Sequence, residues 1–185
     1  MCSQYESFLQ EDNMPGIEFN FAEQAASLEP AVRMLYQTYT DVMPYPHKFN
    51  DALLKAHLQG LDFAVKHNLW QEKVDHEAYI LSPILEMIGG WVQEQGPEKG
   101  LWGIFEANSC HYQQFEKIEV KPGERLLQCP YKEMLEIVSS LGTFSITWED
   151  VHHKWCIPLW KAFAKKVGIE IEVTPGEICR VSLKK

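Results

Sequence analysis

The 185-residue sequence predicts an α+β protein, a helical N-terminal half packed with a C-terminal antiparallel sheet and its covering helices. Three observations predict it. Apolar residues recur at three- and four-residue intervals as far as Gln95. Gly96-Pro97 and Gly100 then punctuate the chain and its character changes. Beyond them, alternating stretches lead into two Pro-Gly turns, Lys121-Pro122-Gly123-Glu124 and Thr174-Pro175-Gly176-Glu177, with helical segments between. The organisation reads as one domain over residues 1–185, with an extended arm at 1–20, a helical region at 21–96 and an α+β region at 101–185 built on two β-hairpins.

Each element has a local reason. Pro15-Gly16 and the lack of a sustained period make the start an arm. Val32, Leu35, Tyr36, Tyr39 and Val42 form one helical stripe, stopped at Pro44-Tyr45-Pro46 because proline removes a donor and disfavours helix before it. Asn50 is a good N-cap for a helix carrying Leu53, Leu54, His57, Leu58, Leu61 and Val65. Asp75 is the expected cap of a third helix with Tyr79, Ile84, Met87, Ile88 and Trp91, interrupted by Pro83 and Gly89-Gly90. Leu101–Glu106 and Gln113–Val120 favour strand, and Arg125–Gln128 returns from the first turn. Pro130 opens a helix over Tyr131–Ser140, closed at Leu141-Gly142. Thr147 caps the next helix with Asp150 three residues on, and Pro158 should kink it before Gly168 ends it. Ile169, Ile171 and Val173 alternate as a half-buried strand, and Cys179, Val181 and Leu183 share one face of the last.

Composition narrows the function classes. A net charge of −9 argues against nucleic acid or an anionic membrane surface as the main partner. No apolar run reaches the roughly 18 residues of a spanning helix, and the acidic start lacks the apolar core of a signal peptide, so a cytoplasmic protein is expected. The five cysteines are odd in number and widely spaced, without a CxxC pair, which predicts free thiols rather than a disulfide framework. The sequence has no Gly-rich phosphate loop, GxSxG, HExxH or EF-hand, and it says nothing of oligomeric state.

The chemistry concentrates between Trp148 and Cys156. In a regular helix Glu149, His152, His153 and Cys156 share one face. There a carboxylate orients an imidazole and the imidazole deprotonates a thiol, or the same groups ligate a soft metal such as zinc. An amphipathic helix with a buried cysteine explains the run as well. Cys129, just before Pro130, stands at a helix start, where unpaired N–H groups stabilise a thiolate. His111 is a candidate base beside Cys110. Trp148, Trp155 and Trp160 with Phe144 and Phe163 form an aromatic neighbourhood that suits either a core or a pocket for a flat ligand.

Residues 124–185 resemble the L-2-amino-thiazoline-4-carboxylic acid hydrolase-like family. The resemblance rests on Cys129-Pro130 opening a helix, Leu141-Gly142, Cys156 in the following helix, and the passage from Gly176 to Cys179. It implies hydrolytic opening of a thiazoline at its C=N carbon. The last strand departs from the pattern, reading Cys179-Arg180-Val181 where an acidic residue and an aromatic are more usual. The expectation is therefore a hydrolase of a small C=N or amide-like substrate. Cys156 serves as nucleophile or metal ligand, His152 as base or co-ligand, Glu149 as orienting carboxylate and Cys129 as second thiol, at the site or on the metal. Arg125, His111 and Trp155 are the candidate substrate-binding residues, Arg125 for its planar donor fork. The alternative is a small-molecule-binding or thiol-sensing module without catalysis.

Overall fold

The computed structural model describes residues 51–107, 117–142 and 144–184, together with residues 30 and 32. The chain divides into two compact units, Met1–Lys48 and Phe49–Lys185, and all the elements below belong to the second. The N-terminal arm, the stripe from Leu35 to Val42, the Pro44–Pro46 break, the Asn50 cap, residues 113–116 and the Cys110-His111 pair lie outside the described residues.

The fold class is α+β, as the sequence predicts. Helices α1 (Asp51–Lys66), α2 (Trp70–Ile80) and α3 (Ser82–Gln95) come first. A short helix α4 (Glu98–Leu101) runs straight into a π-helical turn at Trp102–Glu106. The hairpin β1 (Ile118–Lys121) and β2 (Glu124–Gln128) follows, then α5 (Tyr131–Ser140) and α6 (Trp148–Val151). A second π-helical turn, His152–Cys156, joins α6 to α7 (Ile157–Val167), and β3 (Ile171–Thr174) and β4 (Ile178–Leu183) close the chain. The sheet order is β1-β2-β4-β3 with every neighbouring pair antiparallel, so the two Pro-Gly hairpins meet through β2 and β4.

Several local expectations change. Leu101–Glu106 is helical, not extended: Leu101, Ile104 and Phe105 are buried at helical spacing, and the glycines between them allow close packing. A Cβ on Gly103 would lie 2.5 Å from Ile88 Cγ2, and one on Gly100 would lie 2.8 Å from Ile169 Cδ1. Asp75 sits inside α2 rather than capping a helix, because the chain breaks six residues later, at Leu81, with Pro83 in the first turn of α3. Gly89-Gly90 does not interrupt α3, and a Cβ on Gly89 would meet the Val167 backbone at 3.6 Å. Tyr79, Ile84 and Met87 are exposed, while Leu85 and Ile88 face the core.

The kink expected near Pro158 takes the form of the second π turn. An α-helix would need the missing proline N–H and would press its ring on the carbonyl four residues back. The wider turn shifts that register, and the Ile157 N–H reaches the His152 carbonyl five residues away. At the start of this helix, Thr147 and Asp150 exchange side-chain and backbone hydrogen bonds as a full capping box. Its position is pinned to α1, because Asp62 Oδ1 accepts both the backbone N–H and the hydroxyl of Ser145 at 2.8 Å.

Candidate Cys–His–Cys centre

The antiparallel register builds the site. Leu127 on β2 stands opposite Cys179 on β4, and both are fully buried. Cys129 lies two residues beyond Leu127, just past the end of β2. Its backbone N–H donates to the Glu177 carbonyl at 2.8 Å, which holds the two chains together there. The α6–π segment crosses this end of the sheet and lowers His152 between the two sulfurs. His152 Nε2 lies 3.9 Å from Cys129 Sγ, and Nδ1 lies 3.9 Å from Cys179 Sγ. The two sulfurs and a ring nitrogen all fall within 4.8 Å of one another.

Further groups complete it. Trp148 Nε1–H donates to Cys129 Sγ at 3.5 Å, and the indole stands edge-on to the His152 ring with centroids 4.8 Å apart. The Cys179 thiol has the Gly176 carbonyl 3.4 Å away as one acceptor. His152 and Cys179 are buried, whereas Cys129 is half-buried and is the side of the cluster that solvent reaches.

These contacts set the charge. The Cys129 thiol is drawn from the ordinary range down to about 4, first by the Cys179 thiol donating to it, then by His152, Trp148 and the Tyr131 backbone N–H, all against the cost of burial. Cys179 is pushed up, because its proton is held by the neighbouring Cys129 sulfur and because it is buried. Of the pair, these contacts favour the charge on Cys129 and the proton on Cys179.

The sequence-predicted residues divide between this cluster and elsewhere. Cys129 and His152 belong to it. Cys156 does not. Its sulfur is enclosed in the core, where burial, then the negative charges at Cys129 and Glu77, push the thiol up and keep it neutral. Glu149 is exposed, and both imidazole nitrogens of His152 face sulfur, so the orienting contact comes from Cys179. Trp155 is buried in a second polar cluster, donating to Glu77 Oε2 at 2.7 Å. Its ring packs edge-on against His57 and Tyr131 at 5.2 and 5.5 Å, and His57 Nδ1 lies 3.0 Å from the Tyr131 hydroxyl.

Arg125 is 2% exposed and fully engaged within the protein. Its guanidinium donates to Glu106 Oε1 at 2.7 Å, pairs with Glu98 at 2.8 Å, and donates to the carbonyls of Lys121 and Glu124 at 3.0 and 2.9 Å. Arg125 thus clamps the first hairpin to α4 and its π turn. His111 lies outside the described residues.

Cys179 and Trp148 join the site without having been singled out for it: the sequence places Cys179 on one face of the last strand, where it is indeed buried, and Trp148 in an aromatic neighbourhood that suits either a core or a pocket.

The fold and this centre define an α+β protein with a Cys–His–Cys cluster that could hold a metal ion. No family model, curated protein or solved structure matches the chain.

Proposed function

We propose that the protein is a small-molecule hydrolase acting on a C=N or amide-like bond, with Cys129 as nucleophile and His152 as its acid–base partner. The observation that carries this reading is the half-buried Cys129 sulfur, ringed by the donors of Cys179, Trp148, Tyr131 and His152. A thiolate so held attacks an electrophilic carbon, and the imidazole 3.9 Å away hands a proton to the departing or ring nitrogen. Water, deprotonated by the same imidazole, then cleaves the carbon–sulfur bond and returns the thiolate. Cys179 holds the far side of the ring, as a carboxylate or amide does in other cysteine hydrolases. The substrate class comes from the resemblance of residues 124–185 to the amino-thiazoline-carboxylate hydrolases.

The test is turnover of a panel of thiazoline carboxylates and small amides by the wild type and by Cys129→Ala, His152→Ala and Cys156→Ser. Loss in the first two with retention in Cys156→Ser supports the reading, and retained turnover in Cys129→Ala sinks it. A reactive Cys129 with no turnover on the panel favours the non-catalytic, thiol-sensing alternative.

Zinc is the second reading, favoured by three ligand atoms lying within 4.8 Å of one another. Tetrahedral zinc, with bonds of about 2.3 Å to sulfur and about 2.0–2.1 Å to nitrogen, sets its donors roughly 3.6–3.8 Å apart. The 3.9 Å sulfur–nitrogen separations are close to that, but they fall on opposite ring nitrogens. One ion binds one nitrogen, so one sulfur must rotate round the ring to join it. Metal content of the purified protein and the cobalt absorption of Cys129→Ala and Cys179→Ala decide between the readings. Stoichiometric zinc lost in both variants favours the metal.

A further inference from the structure

We propose that Cys129 and Cys179 are a peroxide-reactive dithiol, in which Cys129 is oxidised first and Cys179 resolves it as an intramolecular disulfide. The proposal does not depend on the hydrolase reading, since it needs the two sulfurs and their neighbours but no carbon substrate.

The placement of the pair is the argument. Of the three described cysteines, Cys129 is half-buried, whereas Cys156 and Cys179 are buried, Cys179 at 1% exposed. The sulfurs of Cys129 and Cys179 lie within 4.8 Å of each other, Cys179 on β4 and Cys129 one residue past the end of β2. The backbone bond from Cys129 N–H to the Glu177 carbonyl keeps the strands at ladder distance exactly where the two side chains meet. Cys156, the third, is enclosed elsewhere in the core and is not part of the cluster. A disulfide needs its sulfurs at about 2.05 Å, so closure draws the Cys129 segment, just past the end of β2, toward Cys179. An accessible cysteine beside a buried resolving cysteine is the arrangement expected of a reversible thiol sensor.

The groups around the pair supply the protons. The Cys129 sulfur attacks one oxygen of a hydroperoxide, and the O–O bond breaks. The leaving hydroxide or alkoxide takes a proton from His152 Nε2 and departs as water or alcohol, and Cys129 becomes a sulfenic acid. Cys179 then attacks the Cys129 sulfur while its own proton passes to the sulfenic oxygen. The S–O bond breaks and the hydroxyl leaves as water carrying the Cys179 proton. In sum, two thiols and one hydroperoxide give one disulfide, one alcohol or water and one further water. The dithiol loses two electrons and the peroxide gains them. An external dithiol reverses the change by exchange.

Disulfide formation also removes the thiolate that Trp148 and His152 contact, so oxidation would silence any chemistry for which Cys129 is the nucleophile.

The test treats the reduced, chelator-washed full-length protein with one equivalent of hydrogen peroxide, followed by intact mass and non-reducing peptide mapping. The expected result is loss of two hydrogens' mass, a Cys129–Cys179 cross-link, disappearance of two titratable thiols, and full reversal by dithiothreitol. In Cys179→Ser the expected product is a gain of one oxygen at Cys129, trapped by a sulfenic-acid reagent. Wild-type protein that gains oxygen at Cys129 without losing two hydrogens overturns the proposal, as does a cross-link that joins any other pair. The wild-type measurement decides by itself if the variant does not fold. Turnover is not read, so the hydrolase reading can fail while this one holds.

Discussion

Replacing Cys179 with alanine should raise the pH at which Cys129 becomes reactive. The Cys179 thiol is the largest of the contacts that bring Cys129 down to about 4, ahead of His152, Trp148 and the Tyr131 backbone N–H. A hydrogen bond to a charged group is worth about 1.5–3 kcal/mol, and one pKa unit is about 1.4 kcal/mol, so its removal should shift the midpoint upward by roughly 1–2 units. The remaining donors stay in place, so the value should remain below that of a free thiol. Absolute rate is a poor readout, because a thiolate of low pKa is also a weaker nucleophile and the two effects partly cancel. The pH profile is the useful one. Peptide-resolved alkylation of chelator-washed protein by iodoacetamide, from about pH 3 to about pH 9, should rise to the midpoint and then stay flat. In Cys179→Ala the same curve should move to higher pH with its shape kept, whereas Cys156→Ser should leave it in place. A folded Cys179→Ala protein with an unmoved midpoint would show that Cys179 does not donate to the thiolate, and the assignment of the pair would be wrong.

Three further outcomes are expected. Arg125→Met removes a buried guanidinium that serves Glu106, Glu98 and two carbonyls, and should cost about 3–5 kcal/mol in urea unfolding, as when one partner of a buried pair is lost. Gly103→Ala places a Cβ 2.5 Å from Ile88 Cγ2 and should cost about 1–3 kcal/mol. Adding Ile88→Ala should recover part of that loss as a coupling energy, and strict additivity of the two would refute the clash. Burial, reinforced by Lys73 and opposed by Glu77, holds His57 below its ordinary value, so the folded protein keeps it neutral where the unfolded chain already binds a proton. Stability from this group is therefore present above about pH 6.5 and falls as the pH drops below it, a decline that His57→Phe should flatten in urea midpoints.

The helical pattern, the hairpin turns, the Thr147–Asp150 cap and the end of α7 at Gly168 were legible because they are local. A cap, a proline or a glycine with positive φ acts within a few residues, and Gly168 does adopt a φ of 83°. The strand expected at Leu101–Glu106 failed for the opposite reason. Gly100 read as punctuation before it, yet Gly100 and Gly103 are where Ile169 and Ile88 press against the helix. That contact is made by residues distant in the sequence, so no local propensity announces it. The face assumed for Glu149, His152 and Cys156 came from ideal helical spacing, whereas the chain takes a π turn from His152 to Cys156.

For the site, the sequence by itself determined the chemistry on offer: free thiols, an imidazole in the Trp148–Cys156 run, and a cysteine at the start of a helix. Tertiary structure alone decided which of them meet. The β2–β4 pairing brings Cys129, just past the end of β2, beside Cys179, and the π turn after α6 puts His152 between them. Cys156, near His152 in the chain, ends in the core as a neutral thiol because burial opposes its charge. Proximity along the chain sets only local geometry, while the partners of a reactive group are set by packing among segments that fold together from 23 and 27 residues away.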